Sequence, residues 1–306
     1  MESLLEAIGH TPLVELKRCI PQTGGRVFAK LECFNPGGSL KDRVILKILT
    51  DAEKNGLLHE GSTIVAGTTG NSGIALAYIG GIKKYKVILT MPENYSLERR
   101  KILEGYGAEV HLTPASEEIR GAIGRAKVIA SERNGTLINQ FENPLTIAAH
   151  EEGTAVEIDT ALASPVDAVV ACVGTGGSLM GVGGYFKKRG ARVIAVEPAS
   201  APLLSAGRTG PHKIQGIGTG FIPRILKREL IDEILVVSDN EALEGSLEIA
   251  QKEGILVGIS SGAALVGART VAQKLGLGKK VVTLFADRGE RYFSLDKFFA
   301  ERKGDP

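Results

Sequence analysis

Leu31-Glu32-Cys33-Phe34-Asn35-Pro36-Gly37-Gly38-Ser39-Leu40-Lys41-Asp42-Arg43 is the stretch on which the reading of this chain turns. An apolar, strand-like run, Val27 to Leu31, stops at a cluster of turn formers. Asn-Pro and Gly-Gly turn the chain because Pro fixes φ and Gly admits φ > 0. Ser39 is placed as the N-cap of a helical pattern that runs Asp42–Asn55. Lys41 therefore sits where a strand-end loop becomes a helix. In a wound α/β sheet that is where ligands bind.

On both sides of this stretch, strand-like runs alternate with helical patterns. The spacing predicts strands at Thr63–Ala66, Lys86–Met91, Glu109–Leu112, Thr136–Asn139, Ala168–Val173, Arg192–Val196, Ile234–Val237 and Lys280–Phe285. Helices are expected at Ser72–Ile82, Leu97–Tyr106, Glu117–Arg133, Leu145–Ala161, Ser178–Lys188, Asn240–Glu253 and Ser261–Lys274. Such alternation means parallel sheets covered on both faces, an α/β fold. The length, 306 residues, suits two domains or one large one. Asn143-Pro144, ahead of a fresh helix, is the best candidate for a break.

The bulk numbers exclude several classes. A net charge of +2 implies no general attraction to nucleic acid or to an anionic membrane surface. Three widely spaced cysteines, Cys19, Cys33 and Cys172, argue against a disulfide framework and fit a reducing cytoplasm. No Cys/His spacing suggests a metal site. The first residues, Met-Glu-Ser-Leu-Leu-Glu, lack the basic start of a signal peptide. Ala168 to Phe186 is uncharged for 19 residues but holds six glycines, so strand, glycine loop and helix start explain it better than a membrane span.

Two glycine loops invite anions. Gly67-Thr68-Thr69-Gly70-Asn71-Ser72-Gly73 follows a strand and opens a helix, where backbone N–H groups and hydroxyls can hold a carboxylate. Val173-Gly174-Thr175-Gly176-Gly177-Ser178 has the same setting. It reads either as a dinucleotide fingerprint, with Glu197 as the following acid, or as a cup for one phosphate. The fingerprint lacks its third glycine, since Leu179 stands there. His10, in Gly9-His10-Thr11-Pro12, shapes a turn on its bland reading.

The lysine stretch, from Asn35 to Arg43, resembles the cofactor-lysine motif of the cysteine synthase (O-acetylserine sulfhydrylase) and cystathionine β-synthase family. These are fold-type II enzymes of pyridoxal phosphate (PLP), similar to tryptophan synthase β. The resemblance runs through six ordered motifs from Thr11 to Tyr292. It implies that Lys41 forms a Schiff base with PLP and later acts as general base. It implies that Thr68, Thr69, Gly70 and Ser72, with Gln140, hold the substrate carboxylate. Asn71 would hydrogen-bond the cofactor's ring hydroxyl. Gly174, Thr175, Gly176, Gly177 and Ser178 would cup its phosphate, leaving Glu197 to hold a neighbouring loop. Gly216, Ile217 and Gly218, in Gln215-Gly216-Ile217-Gly218-Thr219, would border cofactor and substrate.

Departures from the pattern matter as well. The family sets a Ser, Thr or Cys against the pyridine nitrogen, and here Ala286 or Asp287 takes that place; the bland reading of Asp287 is a surface ion pair with Arg288 or Arg291. Gln215 stands where phosphoserine-using relatives carry Arg, and Thr219 where cystathionine β-synthases tend to carry Tyr. Both lean toward O-acetylserine.

The family implies two α/β domains with twisted, mostly parallel sheets flanked by helices. The smaller, mobile, substrate-binding domain would comprise 1–12 and 35–143. The larger, phosphate-binding one would comprise 13–34 and 144–306. The implied activity is β-replacement, making L-cysteine from O-acetyl-L-serine and sulfide, in a cytoplasmic homodimer that needs no metal. Serine acetyltransferase, through its C-terminal tail, is a further implied partner. Alternatives are an O-phosphoserine sulfhydrylase, a cystathionine β-synthase-like enzyme or a diaminopropionate synthase. A nucleotide-binding oxidoreductase and a non-catalytic binding module are the readings from other classes.

Overall fold

The computed structural model describes residues 3–294. The outermost parts of the two-domain division, 1–2 and 295–306, lie outside these residues. The strands, in chain order, are β1 (Leu13–Glu15), β2 (Arg26–Leu31), β3 (Thr63–Gly67), β4 (Lys86–Pro92), β5 (Glu109–Thr113), β6 (Thr136–Leu137), β7 (Ala168–Cys172), β8 (Arg192–Pro198), β9 (Glu233–Val237) and β10 (Lys280–Phe285). They form a six-stranded sheet, ordered β1-β2-β10-β7-β8-β9, and a four-stranded sheet, ordered β5-β4-β3-β6. Every pairing is parallel except β1 with β2.

Parallel strands buried on both faces need apolar residues at every position. Val169, Val170, Val193, Ile194 and Ala195 are all fully buried. One core lies between the six-stranded sheet and the helix Ile259–Leu275, and another lies on the sheet's opposite face under Leu179–Phe186. A third joins the helices Lys41–Lys54 and Asn71–Ile82 to one face of the four-stranded sheet. The helix Asn71–Ile82 is apolar almost all round because it is buried almost all round. Among the described residues no helix is long and apolar enough to cross a membrane; residues 168–186 form β7, a glycine loop and the start of a helix.

The expected strands and helices occur with ends shifted by a residue or two, and several details differ, among them π-helical turns at Leu179–Gly183 and Ile249–Glu253 within two of the expected helices. The edge strand β1, three residues long, is too short to show alternation in the sequence. The strand expected over Thr136–Asn139 ends at Leu137. The helix expected over Leu145–Ala161 is interrupted by a π-helical turn, His150–Ala155. That turn faces Gly181, where even a Cβ would come within 2.8 Å of Glu151 N, so the two backbones meet directly.

Behind the site lies a buried ionic network. Arg43 Nε and Nη2 donate to Glu32 at 2.7 and 2.8 Å, and its Nη1 and Nη2 donate to Glu157 at 2.6 and 2.8 Å. Lys30 Nζ donates to Thr11 O at 2.6 Å and pairs with Glu157 at 2.7 Å. His10 adopts φ 50° and donates its N–H to Glu157, which fits a turn. His150 is buried beside this network. Its Nδ1 meets Thr154 Oγ1 at 3.0 Å and its Nε2 has no hydrogen-bond partner among the described residues.

Burial pushes the His150 imidazole down to about 3, with Glu32 opposing and Arg43 and Lys41 reinforcing. Its folded pKa therefore lies below its unfolded value, and the unfolded state binds the extra proton between pH 6.5 and 3. Stability is expected to fall as pH drops through that window, by roughly 1.5 kcal/mol between pH 6.5 and 5. Urea midpoints should show the decline in the native protein and its loss in His150→Gln. An equal slope in both would show that other groups set it.

Candidate active site

Five loops meet where the carboxyl ends of β2, β3, β6, β7 and β10 converge, the usual place for a ligand in open α/β sheets. They wall a cleft that opens to solvent, with polar and apolar groups side by side on its lining. Lys41 opens its helix on one wall. Leu40, not Ser39, holds the N-cap position, with φ −59° and ψ −16°. Ser39 is drawn into a β-bridge with Asp287, while its Oγ still accepts from Lys41 N at 3.3 Å. Leu40 N donates to Ala286 O at 2.9 Å. The loop bearing the lysine is thus stitched to the exit of β10.

Lys41 Nζ lies 3.5 Å from Thr175 Oγ1. Burial lowers its ammonium to about 8, although the charge of Asp287 pulls the other way. A larger fraction is therefore free amine at neutral pH. At pH 7.5 the amine fraction is roughly 200-fold that of an ordinary lysine. Condensation of the apoprotein with an aldehyde such as pyridoxal phosphate, followed by visible absorption, should rise with pH and reach half its maximum near pH 8. A midpoint above pH 10 would mean that the site does not perturb the lysine.

Opposite the lysine, the loop 173–178 joins β7 to a helix that begins with the π-helical turn Leu179–Gly183. First-turn N–H groups of a helix lack intrahelical acceptors and suit an anion. The glycines here are sterically required. A Cβ on Gly174 would run into Gly216 O, and one on Gly177 would sit 2.9 Å from Thr146 O. Gly174, Thr175, Gly176 and Ser178 line the cleft, and Gly177 lies just behind. The wall is thus a cup of backbone and hydroxyl donors with no carboxylate in it. Such a donor set fits a phosphate, and a lysine of lowered pKa beside it fits the aldehyde of PLP.

The loop after β3 forms the third wall. Thr69, Asn71 and Ser72 line the cleft. Thr68 does not: its Oγ1 accepts from Gly70 N and Gly73 N at 3.0 and 2.9 Å, so its hydroxyl is spent inside the turn. Gly70 lies behind the wall beside it. Ser72 Oγ donates to Gln140 Oε1 at 2.6 Å, which brings Gln140 into the same wall. Gly216 and Ile217 line the cleft from the far side, and Gly218 borders an adjoining groove.

Ala286 lines the cleft and Asp287 does not. Asp287 is fully buried, so it is not a surface ion pair, and its Oδ2 accepts from Asn71 Nδ2 at 2.6 Å and Tyr292 OH at 2.7 Å. Glu197 accepts from Leu204 N, Ser205 N and Ser205 Oγ at 2.7, 2.9 and 2.5 Å. It secures a loop and is not on the cleft wall, which removes the acid that a dinucleotide site needs.

Sequence reasoning missed Arg99, Cys172 and Ser260, which also line the cleft. Arg99 is 1% exposed. It donates to Thr69 O at 3.2 Å, to Tyr292 OH at 2.7 Å and to Gln215 Oε1. Its position four residues before the buried Leu103 was the available signal, because i and i+4 share a helix face. Burial pushes the Cys172 thiol up to about 12, so it is a neutral wall rather than a nucleophile.

The model of the pyridoxal-phosphate dependent enzyme family matches residues 4–287. A cysteine synthase from Staphylococcus aureus (strain Mu50 / ATCC 700699) is 46% identical over 297 residues, covering 96% of each chain. Among solved structures, O-ureido-L-serine synthase matches with a TM-score of 0.95 at 38% identity, covering 100% of this chain and 97% of its own. The O-acetylserine dependent cystathionine β-synthase of Helicobacter pylori matches at 0.92 with 39% identity, covering 96% and 97%. Cysteine synthase of Entamoeba histolytica matches at 0.92 with 39% identity, covering 100% and 93%.

Proposed function

The chain belongs to the pyridoxal-phosphate dependent enzyme family, and on that premise we propose that it makes L-cysteine from O-acetyl-L-serine and sulfide, releasing acetate. The observation that carries this reading is the lysine amine 3.5 Å from Thr175 Oγ1 in a glycine cup built of donors. When bound, the cofactor supplies an aldehyde to the lysine and an electron sink to the substrate's α-carbon.

The protein's own groups do the rest. Gly174 to Ser178 bind the phosphate. Thr69, Ser72 and the N–H groups opening the helix Asn71–Ile82 bind the substrate carboxylate. Gln140, held by Ser72, completes that wall. Lys41, freed when substrate binds, takes the α-proton as general base, a role its lowered pKa suits. Acetate leaves, and sulfide adds at the β-carbon. In this reading 1–12 and 35–143 carry the substrate loop, and 13–34 with 144–306 carry the phosphate cup.

Gln215 stands where phosphoserine-using relatives carry Arg, which supports an acyl over a phosphoryl leaving group; its Oε1 accepts from Arg99, which also lines the cleft. A homodimer, a cytoplasmic setting and docking of a serine acetyltransferase tail complete the proposal. The three free cysteines suit a reducing compartment.

The test is direct. Purified protein should absorb in the visible, O-acetyl-L-serine should change that spectrum, and sulfide should restore it with release of cysteine and acetate in equal amounts. A spectrum that answers only O-phosphoserine, or serine with homocysteine, would replace the substrate. A colourless protein that binds a nicotinamide dinucleotide would replace the reaction.

A further inference from the structure

Lys41 and Asn71 open two helices that share a core on the four-stranded sheet, whereas the phosphate cup belongs to the six-stranded sheet. Something must register the two halves of the site. Asp287, at the exit of β10, touches both.

Its backbone bridges Ser39, two residues before Lys41, and the adjoining Ala286 O accepts from Leu40 N at 2.9 Å. Its side-chain Oδ2 accepts from Asn71 Nδ2 at 2.6 Å. The other end of the same amide is also held, because Arg291 Nη1 donates to Asn71 Oδ1. Both ends being fixed, the amide has one orientation. Its oxygen is spent on Arg291, one N–H is spent on Asp287, and the second N–H is the donor left to the cleft.

The carboxylate is itself braced. Tyr292 OH donates to Oδ2 at 2.7 Å, and Arg99 Nη2 stands 3.7 Å away. Oδ1 packs against Gly258 where no Cβ has room. Arg99 in turn holds Gln215. A continuous polar chain therefore runs from Asn71 through Asp287, Tyr292 and Arg99 to the loop on the far side of the cleft.

Resting on the function proposed above, we propose that Asp287 is a positioning residue for the reaction, acting through Asn71: it fixes the amide so that the cleft meets an N–H donor, not a carbonyl. Without the carboxylate the amide is held at its oxygen alone, by Arg291, and the nitrogen whose second N–H meets the cleft loses its anchor. The carboxylate also supports the charge of Lys41, whose ammonium it raises against the effect of burial.

The experiment uses the holoenzyme and a double-mutant cycle. Asp287→Ala is expected to lower kcat by about 10- to 100-fold, to change KM for O-acetylserine by less than about threefold, and to shift the visible band of the bound cofactor. Asp287→Asn keeps the shape and one acceptor oxygen, so it should recover at least half of the loss in log kcat. In an Asn71→Ala background Asp287→Ala should cost less than about twofold more, because its route is already cut.

Full effects that multiply in the double variant would overturn the proposal and leave Asp287 a structural residue. So would an Asp287→Ala enzyme with native kcat and spectrum. Should Asp287→Ala not fold, the band position and kcat of Asp287→Asn, alone and with Asn71→Ala, decide by the same criterion. A native protein without the visible band or without cysteine formation would instead refute the functional reading.

Discussion

Lys41→Ala is expected to abolish the visible absorption of the lysine-bound cofactor and to lower kcat/KM by roughly 10³-fold or more. Two losses add. The covalent anchor goes, because no other lysine lines the cleft among the described residues. The base goes with it, and a positioned base contributes about 10²- to 10⁴-fold on its own. Binding need not vanish, since the cup 174–178 and the Asn71 loop remain. The variant should therefore retain pyridoxal phosphate non-covalently, with the spectrum of a free aldehyde. Lys41→Arg should fare no better: it keeps a cation beside Thr175 but offers no amine that deprotonates near neutrality. Stopped-flow spectra and cysteine release check both variants. A Lys41→Ala protein that keeps its lysine-linked band, or more than a tenth of native turnover, would sink the assignment.

Much of this architecture was legible because parallel strands announce themselves. Runs such as Ala168–Cys172 and Lys280–Phe285 are rich in β-branched and apolar residues and are cut short by turn signals, the pattern of a buried strand. Lys41, Asn71 and the cup 174–178 were also legible, since each sits at a strand-to-helix junction marked by glycine. What escaped notice has physical causes. Arg99 lies inside an ordinary amphipathic helix, and only its spacing to Leu103 hints that it points inward. Thr68 and Ser72 look equivalent in the sequence, but the turn consumes the first hydroxyl and frees the second for Gln140. Asp287 and Ala286 could not be ranked from the chain alone. One-residue alternation at a strand exit decides which side chain meets the cleft, and that register comes from the bridge to Ser39. The π-helical turn at His150 is likewise set by a distant contact with Gly181, which no local pattern records.

The largest loss of stability is expected from Arg43, which never touches the cleft. Its guanidinium bonds both Glu32 and Glu157, and its side chain is 6% exposed against 0% for that of Glu32. Burial alone would push the Glu32 carboxyl up, yet Arg43 and Thr11 hold it below the usual range. Glu157 is likewise held at about 2, against a burial effect that would raise it, by Arg43 and Lys30. Arg43→Met keeps the bulk of the stem but leaves Glu32 with hydrogen bonds from Thr11 and Asn35 only. An uncompensated buried charge of this kind costs about 3–5 kcal/mol. With Arg43 gone, burial raises the Glu32 carboxyl with less to oppose it, so the deficit should shrink as pH falls toward 5. Adding Glu32→Leu should restore part of the loss, because replacing both charges removes the desolvation cost along with the attraction. Since Arg43 lies two residues beyond Lys41, the single variant should also bind the cofactor more weakly. Urea unfolding of the single and double variants at pH 5 and pH 7.5 provides the measurement. A loss below about 1 kcal/mol, or a double variant worse than the sum of its parts, would mean that this network does not hold the lysine helix against the six-stranded sheet.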